Sequence, residues 1–385
     1  MYPDLSYFFH DLFGTAPDNA FSIIKTFGFF LALAFVASAY TLYLEFKRRE
    51  DSGVFQASIQ TKTYDKNYLI KNTLINGLIA FCFGFKLPYI FQNFETFKGD
   101  PAGMVFSSQG NIMIGILLGL LFGAYYYFQE QKSEYFGKTI KERVLPSQRI
   151  SDITIVAAIS GVLGARLFSI FENMEGFLND PLGTLFSGSG LTIYGGLILA
   201  FIVVYWYVNK IGIKPIEMMD AVAPALVVGY GVGRMGCHFS GDGDWGIVNE
   251  LDKPSWFILP DSFWSYSYPR NVLREGVSIP DCVGQYCREL SPGVFPTPIY
   301  EIFLCVIILI ILWSLRKRIK IPGVIFFIYL GLNGLERFYI EQIRVNERYD
   351  LMGLNWSLSQ TIAFIFLVAG IIGVAFLYRR NTKKT

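Results

Sequence analysis

The sequence predicts an all-α polytopic membrane protein with about nine transmembrane helices and a small extramembrane head. Three observations predict it. Of 385 residues, 52% are hydrophobic and 17% charged, against about 25% charged in soluble domains, and mean hydropathy is +0.39. Apolar runs of the roughly 20 residues that a membrane helix requires recur along the chain. Lys and Arg fall in alternate connections between those runs.

The runs are 22–45, 73–92, 111–128, 151–171, 190–209, 219–237, 297–315, 321–341 and 358–378. The second is interrupted by Lys86 and the sixth opens on Asp220. Basic connections follow the first, third, fifth and seventh runs, and YRRNTKKT closes the chain. An odd number of spans puts all of these on one side, with the N-terminus outside and the C-terminus cytoplasmic. The start, MYPDLSYFFHDLFG, has no basic n-region, so the first span is expected to stay in the mature chain.

Residues 238–296 form the largest connection on the opposite side and are expected to make a periplasmic head. Trp245, Trp256 and Trp264 suit a head resting on the headgroup zone. Cys282 and Cys287 can form a disulfide there if the loop is extracytoplasmic. Cys82, Cys237 and Cys305 sit in or beside apolar runs, as small core residues do. No short-period repeat and no low-complexity tract is visible. Two histidines and five cysteines exclude a His- or Cys-rich metal centre. No metal, cofactor or nucleic-acid partner is expected.

The organising stretch is 229–246, GYGVGRMGCHFSGDGDWG, where an apolar helix runs into a glycine-rich polar loop. A cation at the edge of a span is expensive without an anionic partner. Arg234 is therefore read as holding a lipid phosphate. Its glycines serve either close approach of a ligand or helix packing. His238 is a candidate base, with a structural hydrogen-bonding role as the plainer reading. Asp242 and Asp244 bind a partner or simply form the turn.

Further along, GLNGLERFYIEQIR places Arg337, Glu341 and Arg344 on one helix face. The plainer reading is an ion pair that fixes packing. Tyr194, Gly195 and Gly196 open the fifth span, where helix packing and an interfacial tyrosine are the plainer account. Arg166 can snorkel to phosphate. Asp220 can compensate a helix dipole. PTPIYE opens the seventh span as a proline helix entry, with Tyr300 and Glu301 facing inward.

Taken in order, TIYGGLI, the D-x-x-A-P of Asp220 to Pro224, G-x-G-R-x-G from Gly231 to Gly236 leading to W-G, P-x-x-x-Y-E and R-x-x-x-E-x-x-R resemble the prolipoprotein diacylglyceryl transferases. The resemblance covers about 151–378, with Phe27-Gly28 in the first span. It implies helices around a central lipid-binding cavity. It also implies transfer of diacylglyceryl from phosphatidylglycerol to the lipobox cysteine of a prolipoprotein signal peptide, releasing glycerol-1-phosphate. Arg234, Arg337, Glu341 and Arg344 match the family's charged motifs, and Asp220 its acid before Ala-Pro. The catalytic candidates are then Arg234, Arg337, Glu341, Tyr194 and His238. Phosphatidylglycerol is expected at Arg234, Arg337, Gly195, Gly196, Arg166, Asp220, Asp242 and Arg344.

Two departures stand out. The family usually has His where this chain has Tyr194, and Asn-Phe where it has Cys237-His238-Phe239, so the base is Glu341, His238 or Tyr194. Segment 50–150 reads as a two-helix insertion between an N-terminal part, 1–49, and a catalytic core, 151–378, with a basic tail at 379–385. The competing classes are a transporter or flippase for an anionic lipid or solute, and a scaffold whose ion pairs only lock helices. Against the first, no pair of matching broken helices is visible.

Overall fold

The computed structural model describes residues 1–181, 184, 192–346, 349–351 and 354–382. In chain order the helices are α1 (Leu5–Phe13), α2 (Thr26–Asp51), α3 (Lys66–Gln92), α4 (Phe94–Gly99), α5 (Pro101–Phe106), α6 (Ile112–Gln131), α7 (Ile150–Glu172) and α8 (Met174–Asn179). They continue with α9 (Ile193–Lys210), α10 (Pro215–Ser240), α11 (Thr297–Leu315), α12 (Val324–Ile340) and α13 (Leu358–Thr382). Long helices stand at each of the nine apolar runs, and among the described residues seven are long and apolar enough to cross a membrane. The protein is an all-α polytopic membrane protein. Among the described residues the sheets are two-stranded: β1 (Ser58–Thr63) with β2 (Thr139–Val144), β3 (Val277–Ser278) with β4 (Arg288–Glu289), and β5 (Tyr349–Leu351) with β6 (Leu354–Trp356).

Two compact units divide the chain. The first comprises Met1–Ser52 and Ile213–Thr385. In it α10 packs against α2 and α11, and α12 against α13. The shared core of α10, α11 and α12 is Ala223, Val227, Cys305, Ile308, Leu312 and Ile325. Pro215 starts α10, where its missing N–H costs nothing, and Gly241 ends it at φ 65°. At the basic end, Glu45 is fully buried and takes Arg48 at 2.8 Å and Arg316, while Arg49 pairs with Glu217 at 2.5 Å.

The head follows α10. Trp245, Tyr268 and Val294 form its core, so Trp245 is an interior residue and not an interfacial one. The Cys282–Cys287 disulfide is formed. Helix α1 docks on this head: Asp11 pairs with Arg270 at 3.0 Å, and the Gln285 amide donates to Tyr7 Oη and to Asp18, each at 2.9 Å.

The second unit, Gly53–Gly212, is built of two helical hairpins, α3 with α6 and α7 with α9. Glycines set their spacing. A Cβ on Gly84 would lie 2.8 Å from the Ile114 carbonyl oxygen, and one on Gly164 2.4 Å from that of Gly195. These positions are equivalent. Gly84, Asn93, Glu95, Phe97, Asp100-Pro101, Phe106-Ser107, Gly110 and Gly115 all recur eighty residues later, as Gly164 through to Gly195, with Lys86 replaced by Arg166. The unit is thus a tandem duplication, whose period is too long for the short-repeat reading of the sequence to register. Segment 50–150 has its counterpart inside the chain itself. In the first copy Lys86 Nζ ties down the return segment, donating to Met104 O at 3.1 Å, Gln109 O at 3.0 Å, Ser107 Oγ at 3.1 Å and Ser107 O.

Candidate active site

The signature helix α10 delivers Arg234 one and a half turns before its end, so the guanidinium emerges where helix gives way to loop. Tyr230, one turn earlier, lies under it at 5.1 Å. Arg337 and Glu341 close α12, and Arg344 follows just beyond. Glu301 projects from the first turns of α11.

These side chains converge. Glu301 is completely buried. Its Oε2 meets Arg234 Nε at 3.1 Å and its Oε1 meets Arg337 Nη1 at 2.9 Å. Tyr230 donates its hydroxyl to the same Oε1 at 2.6 Å, and Arg344 Nη1 stands 3.8 Å away. Asp244 forms a second bridge, one oxygen to Arg234 and the other to Arg344. Glu341 Oε2 takes Arg337 Nη2 at 3.3 Å, while its Oε1 accepts from Ser357 at 3.0 Å and from Asn346. Three arginines from two helices and a loop are therefore tied by Glu301, Asp244 and Glu341. Each guanidinium has five N–H donors, more than these pairs consume, so donors remain for an anionic ligand.

The loop that carries Asp244 is itself held. Thr297 donates to the Asp244 carbonyl at 2.6 Å. The W-G glycine, Gly246, donates to Phe295 O at 2.8 Å, and a Cβ there would lie 2.5 Å from Ile343 O. Burial of Asp244 opposes its ionisation, but Arg234 and Arg344 outweigh it and hold the carboxyl at about 2. Asp242 is pushed up instead, by burial and then by Asp244. Cys237 Sγ and the carboxylates of Asp242 and Asp244 lie within 4.8 Å of one another. Asp244 is committed to two arginines, which leaves a cation only the thiol and Asp242.

Of the expected site residues, the structure brings together Arg234, Arg337, Glu341 and Arg344. Asp242 stands beside Asp244, accepting from its backbone N–H at 3.4 Å; Arg234 acts on it only as a nearby charge, with no ion pair among the described residues. His238 turns into an aromatic cage, its Nδ1 3.4 Å from Tyr268 Oη, with the Tyr266 ring at 5.7 Å. Asp220 lies elsewhere: it caps the start of α12 through Gly323 N at 2.7 Å and Phe326 N at 2.8 Å, and about 21 Å of helix separate it from Arg234. Gly195, Gly196 and Arg166 belong to the second unit. A Cβ on Gly195 would strike Phe168 at 2.3 Å and one on Gly196 the Gly161 carbonyl at 2.8 Å, so both serve the α7–α9 contact. Arg166 is half-buried on α7. The side chain of Tyr194 lies outside the described residues.

Sequence reasoning missed Glu301 and Asp244 as the centre of the cluster. Their signals were an acid in a helix of mean hydropathy 2.4 and a repeated Gly-Asp behind the signature.

A family model for prolipoprotein diacylglyceryl transferase matches residues 111–376, which spans all of these motifs. The chain belongs to that family. Prolipoprotein diacylglyceryl transferases are membrane transferases, and this enzyme is one of them. A relative named phosphatidylglycerol–prolipoprotein diacylglyceryl transferase from Clostridium botulinum (strain 657) is 29% identical over 270 residues, covering 69% of this chain and 90% of that protein. A transferase so named from Corynebacterium diphtheriae is 28% identical over 237 residues, 60% of this chain and 78% of that protein. A third, from Clostridium perfringens, is 27% identical over 246 residues, 63% and 84% respectively. The match to the family begins at residue 111, the N-cap of α6, so it takes in the second helix of the first hairpin of this transferase.

Proposed function

We propose that the enzyme transfers the diacylglyceryl group of phosphatidylglycerol to the lipobox cysteine of prolipoprotein signal peptides. Membership of the family supports this, as do the names of the relatives. The observation that carries it is the sharing of one buried carboxylate, Glu301, by Arg234 and Arg337. Two guanidinium groups from distant parts of the chain are thereby fixed side by side, with N–H donors to spare. That is an arrangement for a phosphodiester.

In this reading the thiol sulfur attacks the glyceryl carbon and forms the C–S bond. The C–O bond to phosphate breaks, and its electron pair leaves with the oxygen of glycerol-1-phosphate. The thiol proton ends on that leaving group. Arg234, Arg337 and Arg344 neutralise the phosphate and stabilise the charge that grows on the leaving oxygen. They also favour the thiolate, of which only a few per cent exists at neutral pH for a free cysteine. Glu341, paired with Arg337, is the candidate base beside the clamp; His238 is engaged with Tyr268, and Tyr194 remains a candidate from its motif. Asp242 completes the proposed lipid contacts of the clamp, Asp220 contributes through the placement of α12, Gly195 and Gly196 act through the α7–α9 contact, and Arg166, like Tyr194, remains a candidate from its motif. We place the enzyme in the bacterial inner membrane with its head periplasmic and its basic tail cytoplasmic.

The test is transfer from phosphatidylglycerol to a lipobox peptide by the reconstituted enzyme. Arg234→Gln and Arg337→Gln are expected to lose about 10²- to 10³-fold in rate, the scale of a lost oxyanion donor. Variants that keep their melting temperature and transfer at the wild-type rate would remove both residues from the reaction.

A further inference from the structure

The head carries a loop that the transfer chemistry does not use. Between Leu251 and Pro260 it exposes Leu251, Trp256 and Ile258, the last two at 73% and 93%. Single exposed apolar residues are ordinary, but these three fall within one short, braced loop. Lys253 spans the base of the loop, donating to Leu259 O at 2.8 Å and pairing with Asp261 at 2.7 Å. Trp264 Nε1 donates to Leu251 O at 2.8 Å, and Phe257 folds back on Trp264 with ring centroids 5.2 Å apart. The prolines and these bonds account for the turn. Trp256 meets Phe257 and Trp264 edge-on, with ring centroids 5.9 and 6.5 Å away, yet most of its surface stays open, and no contact among the described residues covers Ile258.

Their position indicates what meets them. Phe263, at the foot of the loop, packs on Phe303 of α11, and Tyr300 donates to Phe263 O at 2.8 Å. Phe303, Val306, Ile307 and Ile310 are all exposed and share one face of α11, the face a membrane helix turns to lipid. The loop thus hangs from the end of a lipid-facing stripe. It has an apolar tip and a charged base of Glu250, Asp252, Lys253 and Asp261. An amphipathic tip of this kind, with a tryptophan, suits the boundary of headgroups and acyl chains.

We infer that the Leu251–Pro260 loop is a membrane-inserting wedge, seating Trp256 and Ile258 in the leaflet on the head side of the bilayer and bracing the head against it. This inference needs only that the protein spans a membrane, so it stands or falls separately from the transfer reaction.

Full-length protein in nanodiscs tests it. The fluorescence difference between wild type and Trp256→Phe isolates Trp256. Quenching of that difference by lipids brominated near the glycerol end of the acyl chain, with protection from aqueous iodide, is the expected result. Ready quenching by iodide with none by bromolipid overturns the wedge. A photo-crosslinker in place of Ile258 is expected to label lipid. Predominant labelling of an added lipobox peptide instead overturns the wedge and makes the loop a peptide platform.

Discussion

Arg234 and Arg337 hold opposite oxygens of the same carboxylate: Arg234 Nε lies 3.1 Å from Glu301 Oε2 and Arg337 Nη1 lies 2.9 Å from Oε1. Glu301 therefore spaces the two guanidinium groups rather than merely neutralising them. Breaking a buried pair by removing one partner costs about 3–5 kcal/mol, because charge is left uncompensated. Glu301→Gln keeps the shape and removes the charge. It is expected to lower the melting temperature and to reduce transfer at least as much as either arginine variant. Wild-type transfer by a stable Glu301→Gln protein would show that the arginines are positioned without it.

Much of the fold was legible because it is written in hydropathy. Each of the nine apolar runs became a long helix, since lipid-facing residues such as Ile307 and Ile310 need no partner to declare them. The arginines were legible as charges misplaced in apolar context. Glu301 was harder to read because one acid in an apolar helix has no spacing to interpret; only Tyr230, Arg234 and Arg337, from other segments, show its purpose. Asp220 was legible as a charge but not as a helix cap, since its partners Gly323 and Phe326 lie a hundred residues away in sequence. Trp245 and Trp256 look alike in sequence, yet one fills the head core and the other protrudes.

The Asp244 bridge carries a pH prediction. Its carboxyl is held down to about 2, burial being outweighed by Arg234 and Arg344. A carboxylate with a depressed native value contributes stability that is fully present above its unfolded value, about 3.9. That contribution is lost as pH falls toward the native one. The difference in melting temperature between wild type and Asp244→Asn should be constant from about pH 8 to about pH 5 and shrink only below about pH 4. Thermal denaturation across that range checks it. A difference that already vanishes near neutral pH would mean the bridge is not formed as described.

The duplicated hairpin predicts dispensability. Where the second copy has Tyr194 and Gly196, the first has Ile114 and Ile116, so it carries no candidate for the chemistry. Thr63 and Thr139 are paired across β1 and β2, which allows residues 64–138 to be replaced by an Asn-Gly turn of the hairpin type. The shortened enzyme is expected to transfer within about tenfold of wild type, roughly 1.4 kcal/mol in barrier. Loss of transfer in a variant that keeps its melting temperature would give the first copy a functional part.

The glycines of the signature separate into two kinds. A Cβ on Gly231 would lie 3.2 Å from Cys305, and one on Gly236 3.0 Å from Phe30, so both are constrained by neighbouring helices. Gly233, immediately before Arg234, meets nothing within 4 Å. Inside a helix, glycine is about 1 kcal/mol worse than alanine, and no contact among the described residues offsets that here. Gly233→Ala is therefore expected to leave the melting temperature unchanged or raise it. If the space beside Gly233 belongs to the lipid, the added methyl raises KM for phosphatidylglycerol several-fold while Gly236→Ala acts mainly on stability. Measuring melting temperature and KM for both variants distinguishes the two roles, and an unchanged KM in Gly233→Ala would take that face of α10 out of the lipid site.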